Sequence, residues 1–159
     1  MSLPSISARI AILAYPGVQS AAVSGLGDLF LVANRLCALR GNDGLDVTEI
    51  TADALPDTEN DRFQIVIIPP NLSGTRGQDA TEIHDWLNAL HTNGTVIASA
   101  CAGAFLLGHS GLLDGRAATT HWALEDEFRA AFPNTTLHSE HLLIDENDIV
   151  TAGGLMAWI

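Results

Sequence analysis

The order of apolar and polar positions divides the chain into strands and helices before any chemistry is considered. "ARIAILAYP" is a short apolar run ending at Pro16, the pattern of a buried strand. From Leu26 the period changes. Leu26, Leu29, Phe30, Ala33, Leu36 and Cys37 recur at three and four, which predicts a helix from Leu26 to Arg40 with those residues on its buried face. Gly41 and "GNDG" end it. "LDVTEITA" alternates and predicts a second strand; "FQIVIIPP", apolar on both faces, predicts a third, stopped by two prolines. "ATEIHDWLNALH" is a helix, with Asp79 and Glu82 at capping-box spacing and Ile83, Trp86, Leu87 and Leu90 as its buried stripe. "GTVIASA" predicts a fourth buried strand running into Cys101, and "AGAFLLGHSGLL" starts at once as a helix. "GRAATT" reads as a short fifth strand and "WALEDEFRAAF" as a helix closed by Pro133. "TTLHSEHLLIDENDIVTAGG" reads as short strands around the polar turn "DEND", and "LMAWI" begins a last element.

Strands alternating with helices and apolar on both faces predict an α/β fold, a mostly parallel sheet covered by helices on both sides. Ligands of such sheets bind at the carboxyl ends of strands, and Cys101 lies at one of them. The 159 residues, 47% of them hydrophobic, are read as one domain, 1–159. A domain of this size buries about 70% of its extended-chain surface and needs no staples.

Charge removes some function classes. The net charge is −12, and all seven basic residues are arginine. Such a surface repels phosphate backbones, so the chain is not expected to bind nucleic acid itself. It carries no basic amphipathic stretch and no apolar run read as spanning a bilayer, so no membrane partner is expected. Two cysteines make no disulfide framework, and the N-terminus lacks signal-peptide order, which together predict a cytoplasmic protein. Cys37 reads as core. No cofactor and no metal are expected.

The stretch "SACAGAFLLG" holds the candidate chemistry. A strand that passes directly into a helix must turn sharply, so its flanking residues must be small. Ser99, Ala100, Ala102 and Gly103 are small, and the pattern small-x-Cys-x-Gly is that of a nucleophile elbow with sulfur in place of oxygen. Such an elbow sets the thiol at a helix N-terminus, where partial positive charge favours thiolate. A buried cysteine in an Ala-rich strand-to-helix joint has the same spacing, so both readings stand.

"CAGAFLLGHSGLLDGRAATTHW" resembles the PfpI-type, class I glutamine amidotransferase-like superfamily. More narrowly, with "YPGVQSAAVSGLGDLF" and "TAGGLMAW", it resembles the N-terminal sensor domain of AraC-family transcriptional regulators. The resemblance implies a flavodoxin-like three-layer sandwich with Cys101 at the elbow. It also implies a helix-turn-helix domain that normally follows and that falls outside these residues; an end on "LMAWI" suggests truncation. The superfamily's histidine directly after the cysteine is replaced by Ala102, and its acid in the first loop by Ala22. His121 is then the remaining candidate base, although its ring serves equally to orient a loop, the preferred reading. Where active relatives have two glycines after the third strand, this chain has "IPPNLSG". Pro70 has no N–H, and a reduced oxyanion hole would rest on Asn71 and Ala102. His138 and Glu140 mimic an amidotransferase His-x-Glu pair. His138 and His141 have metal-like spacing, but in a strand they would point to opposite faces. His84, His91 and His109 read as surface or helix-end residues.

These readings favour a small-molecule-sensing module. Its metabolite would sit against Cys101, Ala102, Gly103, Asn71 and His121, with Cys101 and His121 as the only catalytic candidates. It would act as a homodimer and reach DNA only through the missing domain. The alternative is a cysteine-dependent hydratase or hydrolase of the PfpI or isocyanide hydratase type.

Overall fold

The computed structural model describes residues 6–74, 80–154 and 156. In chain order its elements are β1 (Ile6–Ala14), α1 (Ser20–Leu39), β2 (Gly44–Thr51), β3 (Ile65–Ile68), α2 (Thr81–Thr92), β4 (Val96–Ala100), α3 (Gly103–His109), β5 (Ala117–Ala118), α4 (Glu125–Ala131), β6 (Thr136–Leu137), β7 (Leu143–Asp145) and β8 (Ile149–Ala152). A 3-10 turn at Trp122–Leu124 precedes α4. The main sheet has six strands in the order β2-β1-β3-β4-β8-β7, parallel except for the β7–β8 pair at one edge. β5 and β6 pair in parallel as a separate two-stranded sheet.

The layers follow from the two faces of these strands. Leu13, Val66, Ile68, Ile97 and Ile149 pack in one buried cluster with α2, α3 and Phe128 of α4. Ile12, Val47 and Ile67 face the other way, against Val23, Leu26 and Phe30 of α1. Because side chains alternate along a strand, a sheet buried on both faces needs apolar residues at nearly every position, which "FQIVIIPP" and "GTVIASA" supply. The result is the expected three-layer arrangement. Phe105, Phe128 and Phe132 close the α2–α3 side edge-to-face, with centroids 4.8–5.7 Å apart.

Four local expectations need correction. α1 starts at Ser20, six residues early, and buries only Ala22, Val23 and Leu26. Leu29 and Leu36 of the expected stripe are 49% exposed, and Cys37 is only partly buried. No layer of the described residues covers the second half of the helix, although Asn34 ties it to β2 through both hydrogen bonds with the Leu45 backbone. α1 is also long and apolar enough, by length and composition, to cross a membrane, contrary to the sequence reading. α2 takes Ala80 as its N-cap without a side-chain bond, and Asp79 lies outside the described residues, as does most of "LMAWI". His84 is buried and stacks on His109 rather than lying at the surface.

Candidate functional site

β4 delivers Cys101 to the carboxyl end of the sheet, and one residue then turns the chain into α3. Cys101 has φ +54°, one of two non-glycine residues among those described with positive φ. A side chain in this region costs roughly 1–2 kcal/mol, so the surroundings must hold it there. Its N–H donates to Ala152 O at 2.8 Å, and its carbonyl accepts from Thr120 Oγ1 at 2.8 Å. Gly103 permits the close approach: a Cβ there would stand 2.7 Å from both Ile68 O and Pro69 O. Cys101 therefore makes a sharp, left-handed turn between β4 and α3.

The expected electrostatics do not follow. Cys101 is 4% exposed. Burial pushes its thiol above the ordinary value, and the Ala102 N–H donated to it offsets only part of that. α3, which follows it, is a seven-residue helix. Burial thus disfavours the thiolate at Cys101, and Ala102 N–H is directed at sulfur. Ala22, expected in the first loop, lies instead in the first turn of α1 and is wholly buried.

His121 serves the loop. It caps the 3-10 turn, with Nδ1 accepting from Ala123 N–H at 3.1 Å, and its ring lies beside the exposed Trp122. Among the described residues it makes no hydrogen bond to Cys101. Asn71 is buried and rigid: Nδ2 donates to Pro16 O at 3.0 Å, and Oδ1 accepts from Ser73 N–H at 2.7 Å. This clamps the loop after β3 onto the loop after β1, where Leu72 N–H also reaches Gly17 O. A cavity of about 420 Å³ opens at this end of the sheet, lined by Pro16, Ala52, Asp53, Ala80, Thr81, Glu82 and Ile83. Its lining includes Pro16 of the site loops but not Cys101 or His121, where a shared pocket was expected.

Two site residues were missed. Tyr15, the chain's single tyrosine, directly follows β1, is buried and donates its hydroxyl to Pro69 O at 2.7 Å. Burial drives its ionisation well above the usual range, the neighbouring Cys101 adds to that, and Asn71 pulls it back. Thr120 holds the elbow carbonyl. Both were absorbed into strands by their neighbours' apolarity. Ser99 Oγ, two residues before Cys101, and Gln19 Oε1, whose N–H bonds Pro70 O, are buried without a hydrogen-bond partner among the described residues. Such orphans are rare and ask for an explanation.

The model of the DJ-1/PfpI family matches residues 18–159. The chain belongs to the DJ-1/PfpI family. Among its relatives, the HTH-type transcriptional regulator CdhR of Pseudomonas aeruginosa is 39% identical over 69 residues, which is 43% of this chain and 20% of CdhR. The isonitrile hydratase of Pseudomonas putida is 24% identical over 157 residues, 95% of this chain and 67% of that protein. The crystal structure of an AraC family transcriptional regulator from Pseudomonas putida superposes with TM-score 0.77 at 16% identity, over 95% of this chain and 86% of that one. The matched stretch is a fifth of the length of CdhR.

Proposed function

We propose that this DJ-1/PfpI chain is the small-molecule-sensing domain of an HTH-type, AraC-family regulator, with the elbow retained for binding rather than catalysis. The observation that carries the reading is the mismatch at Cys101. The strained elbow is kept, yet its thiol is buried and pushed toward the protonated form, with no hydrogen bond from His121. General acid–base help is worth roughly 10²–10⁴ in rate, and among the described residues His121 is engaged with its own loop instead. Orphaned Ser99 Oγ and Gln19 Oε1 suit a polar ligand better than turnover. The ligand set is Cys101, Ala102, Gly103 and Asn71, with His121 shaping the loop.

The domain works as a cytoplasmic homodimer that reaches DNA through a separate domain. The half-exposed Leu31, Val32 and Leu36 of α1 form the face where two acidic chains meet with least repulsion, since α1 carries only Asp28 as an acid. That use also explains an apolar α1 without a membrane.

A thermal-shift screen of a polar metabolite library tests this, with sedimentation of the same samples reading the dimer. A stabilising metabolite at 100 times its Kd raises stability by about 2.7 kcal/mol. Ala102→Leu abolishes the shift while its own unliganded melting stays cooperative, and Cys101→Ala keeps most of it. No stabiliser in the library, or a monomer throughout, counts against the proposal. A second reading, a hydratase, rests on the isonitrile hydratase relative. Isonitrile turnover lost in Cys101→Ala would establish it instead.

A further inference from the structure

We propose that the turn His138–His141 binds one borderline divalent transition-metal ion, with His138, Glu140 and His141 as its protein ligands. The site is independent of the Cys101 reading. The sequence argument against it assumed a strand, in which the two histidines would point apart. β6 instead ends at Leu137, and His141 N–H returns to His138 O at 3.1 Å. The turn brings both rings to one side, with centroids 5.6 Å apart and planes at 88°. Glu140 Oε1 stands between them, 3.2 Å from His138 Nδ1 and 3.7 Å from His141 Nε2.

These spacings suit an ion. Bonds of about 2.0–2.1 Å to nitrogen and oxygen in a tetrahedron place ligand atoms about 3.3–3.4 Å apart. Two of the three edges are already close to that, and the three ligand atoms all lie within 4.8 Å of one another. The third edge closes by ring rotation. The backbone is fixed beforehand: His138 N–H donates to Ala118 O, Thr119 Oγ1 donates to His141 O, and Ser139 Oγ donates to Glu125. Binding therefore orders side chains and not a loop. Two imidazoles and one carboxylate select Zn²⁺, Ni²⁺ or Cu²⁺ over the oxygen-seeking Ca²⁺ and Mg²⁺. All three side chains reach solvent, so water completes the shell and one position stays exchangeable. The net charge of −12 draws cations toward it.

Calorimetric titration of the 159-residue chain with Zn²⁺ is the test, paired with Co²⁺ absorption. One ion is expected per chain. His138→Ala and His141→Ala should each weaken it by more than the roughly 10- to 100-fold that loss of an outer-shell partner costs a metal site, with melting temperatures little changed because neither imidazole is buried. Cys37→Ser should leave affinity unchanged. The Co²⁺ spectrum of the unmodified chain should show d–d bands without a sulfur-to-metal charge-transfer band, which keeps the test valid if a variant folds poorly. Absence of uptake, affinity retained in the His138→Ala/His141→Ala double variant, or a thiolate charge-transfer band would each overturn the assignment.

Discussion

Asp148, just before β8 at the amino end of the sheet, has both carboxylate oxygens engaged. Arg116 grips it through Nη1 and Nη2 at 2.7 and 2.8 Å, and His91 Nε2 meets Oδ2 at 2.7 Å. Its backbone carbonyl also receives Ile97 N–H at the start of β4. At the carboxyl end, Cys101 sits at positive φ with its thiol buried beside Tyr15, and Ser99 Oγ and Gln19 Oε1 find no partner among the described residues. One end joins α2, β4, β8 and the β5 segment through saturated contacts. The other keeps strain and unsatisfied polarity, the conditions under which a bound molecule contributes most. In a parallel sheet the division has a topological cause, because the carboxyl ends are where loops diverge and leave a crevice.

The largest test of this contrast is at Gly103. A valine there meets Ile68 O and Pro69 O, both backbone atoms, so the elbow has to move. Overpacking of this kind costs about 1–3 kcal/mol, and for a chain of this size that lowers Tm by roughly 2–4 °C per kcal/mol. Gly27 in the middle of α1 is the control: a Cβ there meets nothing within 4 Å. Gly27→Ala should therefore raise stability by about 0.5–1 kcal/mol. Thermal unfolding of both variants checks the pair, and equal losses at the two glycines would remove the special status of the elbow.

The second test is at the other end. The Arg116 fork, and after it His91, hold the Asp148 carboxyl well below the usual carboxylate range. The folded state thus releases this proton more readily than the unfolded chain. The stabilisation is present in full above the ordinary carboxylate value of about 4 and is lost as pH falls through the lower folded value. Asp148 is 45% exposed, so screening limits the worth of the clamp to about 1 kcal/mol even with bidentate geometry. Asp148→Asn should cost that much at pH 7, and the difference should vanish in acid. Urea unfolding across pH reads it; a gap that widens in acid would mean the clamp acts otherwise.

The elbow was legible because its demand is local: Ser99, Cys101 and Gly103 at fixed spacing answer a steric problem within a few residues. The α2 stripe was legible for the same reason, since Ile83, Trp86, Leu87 and Leu90 share a face by period alone and all are buried. Periodicity names the residues that share a face but not whether a layer covers it, and this is why Leu29, Leu36 and Cys37 were read as core. The thiol's environment is set by burial, opposed in part by the Ala102 N–H, and burial comes from neighbours distant in sequence that spacing does not show. Tyr15 and Thr120 take their roles from chain segments 54 and 19 residues away, contacts that exist only once the sheet is assembled. The His138–His141 turn escaped because β6 is two residues long, too short for strand periodicity to hold beyond Leu137.

The smallest effect isolates strain from chemistry. Cys101→Ala and Cys101→Gly both remove the sulfur, so they differ only in what the backbone tolerates. At φ +54° alanine keeps the left-handed penalty of roughly 1–2 kcal/mol, while glycine escapes it but loses about 0.5–1 kcal/mol through its freer unfolded chain. Glycine should thus be the more stable replacement at Cys101, by about 0.5–1 kcal/mol. Cys37 lies in the last turn of α1 with ordinary helical geometry, and there the order reverses: Cys37→Gly should be less stable than Cys37→Ala by up to about 1 kcal/mol. Chemical denaturation of the four variants gives two differences of opposite sign. If alanine is the better replacement at both cysteines, the elbow is not strained. The retained geometry at Cys101 would then be a passive consequence of packing rather than a feature kept for its ligand.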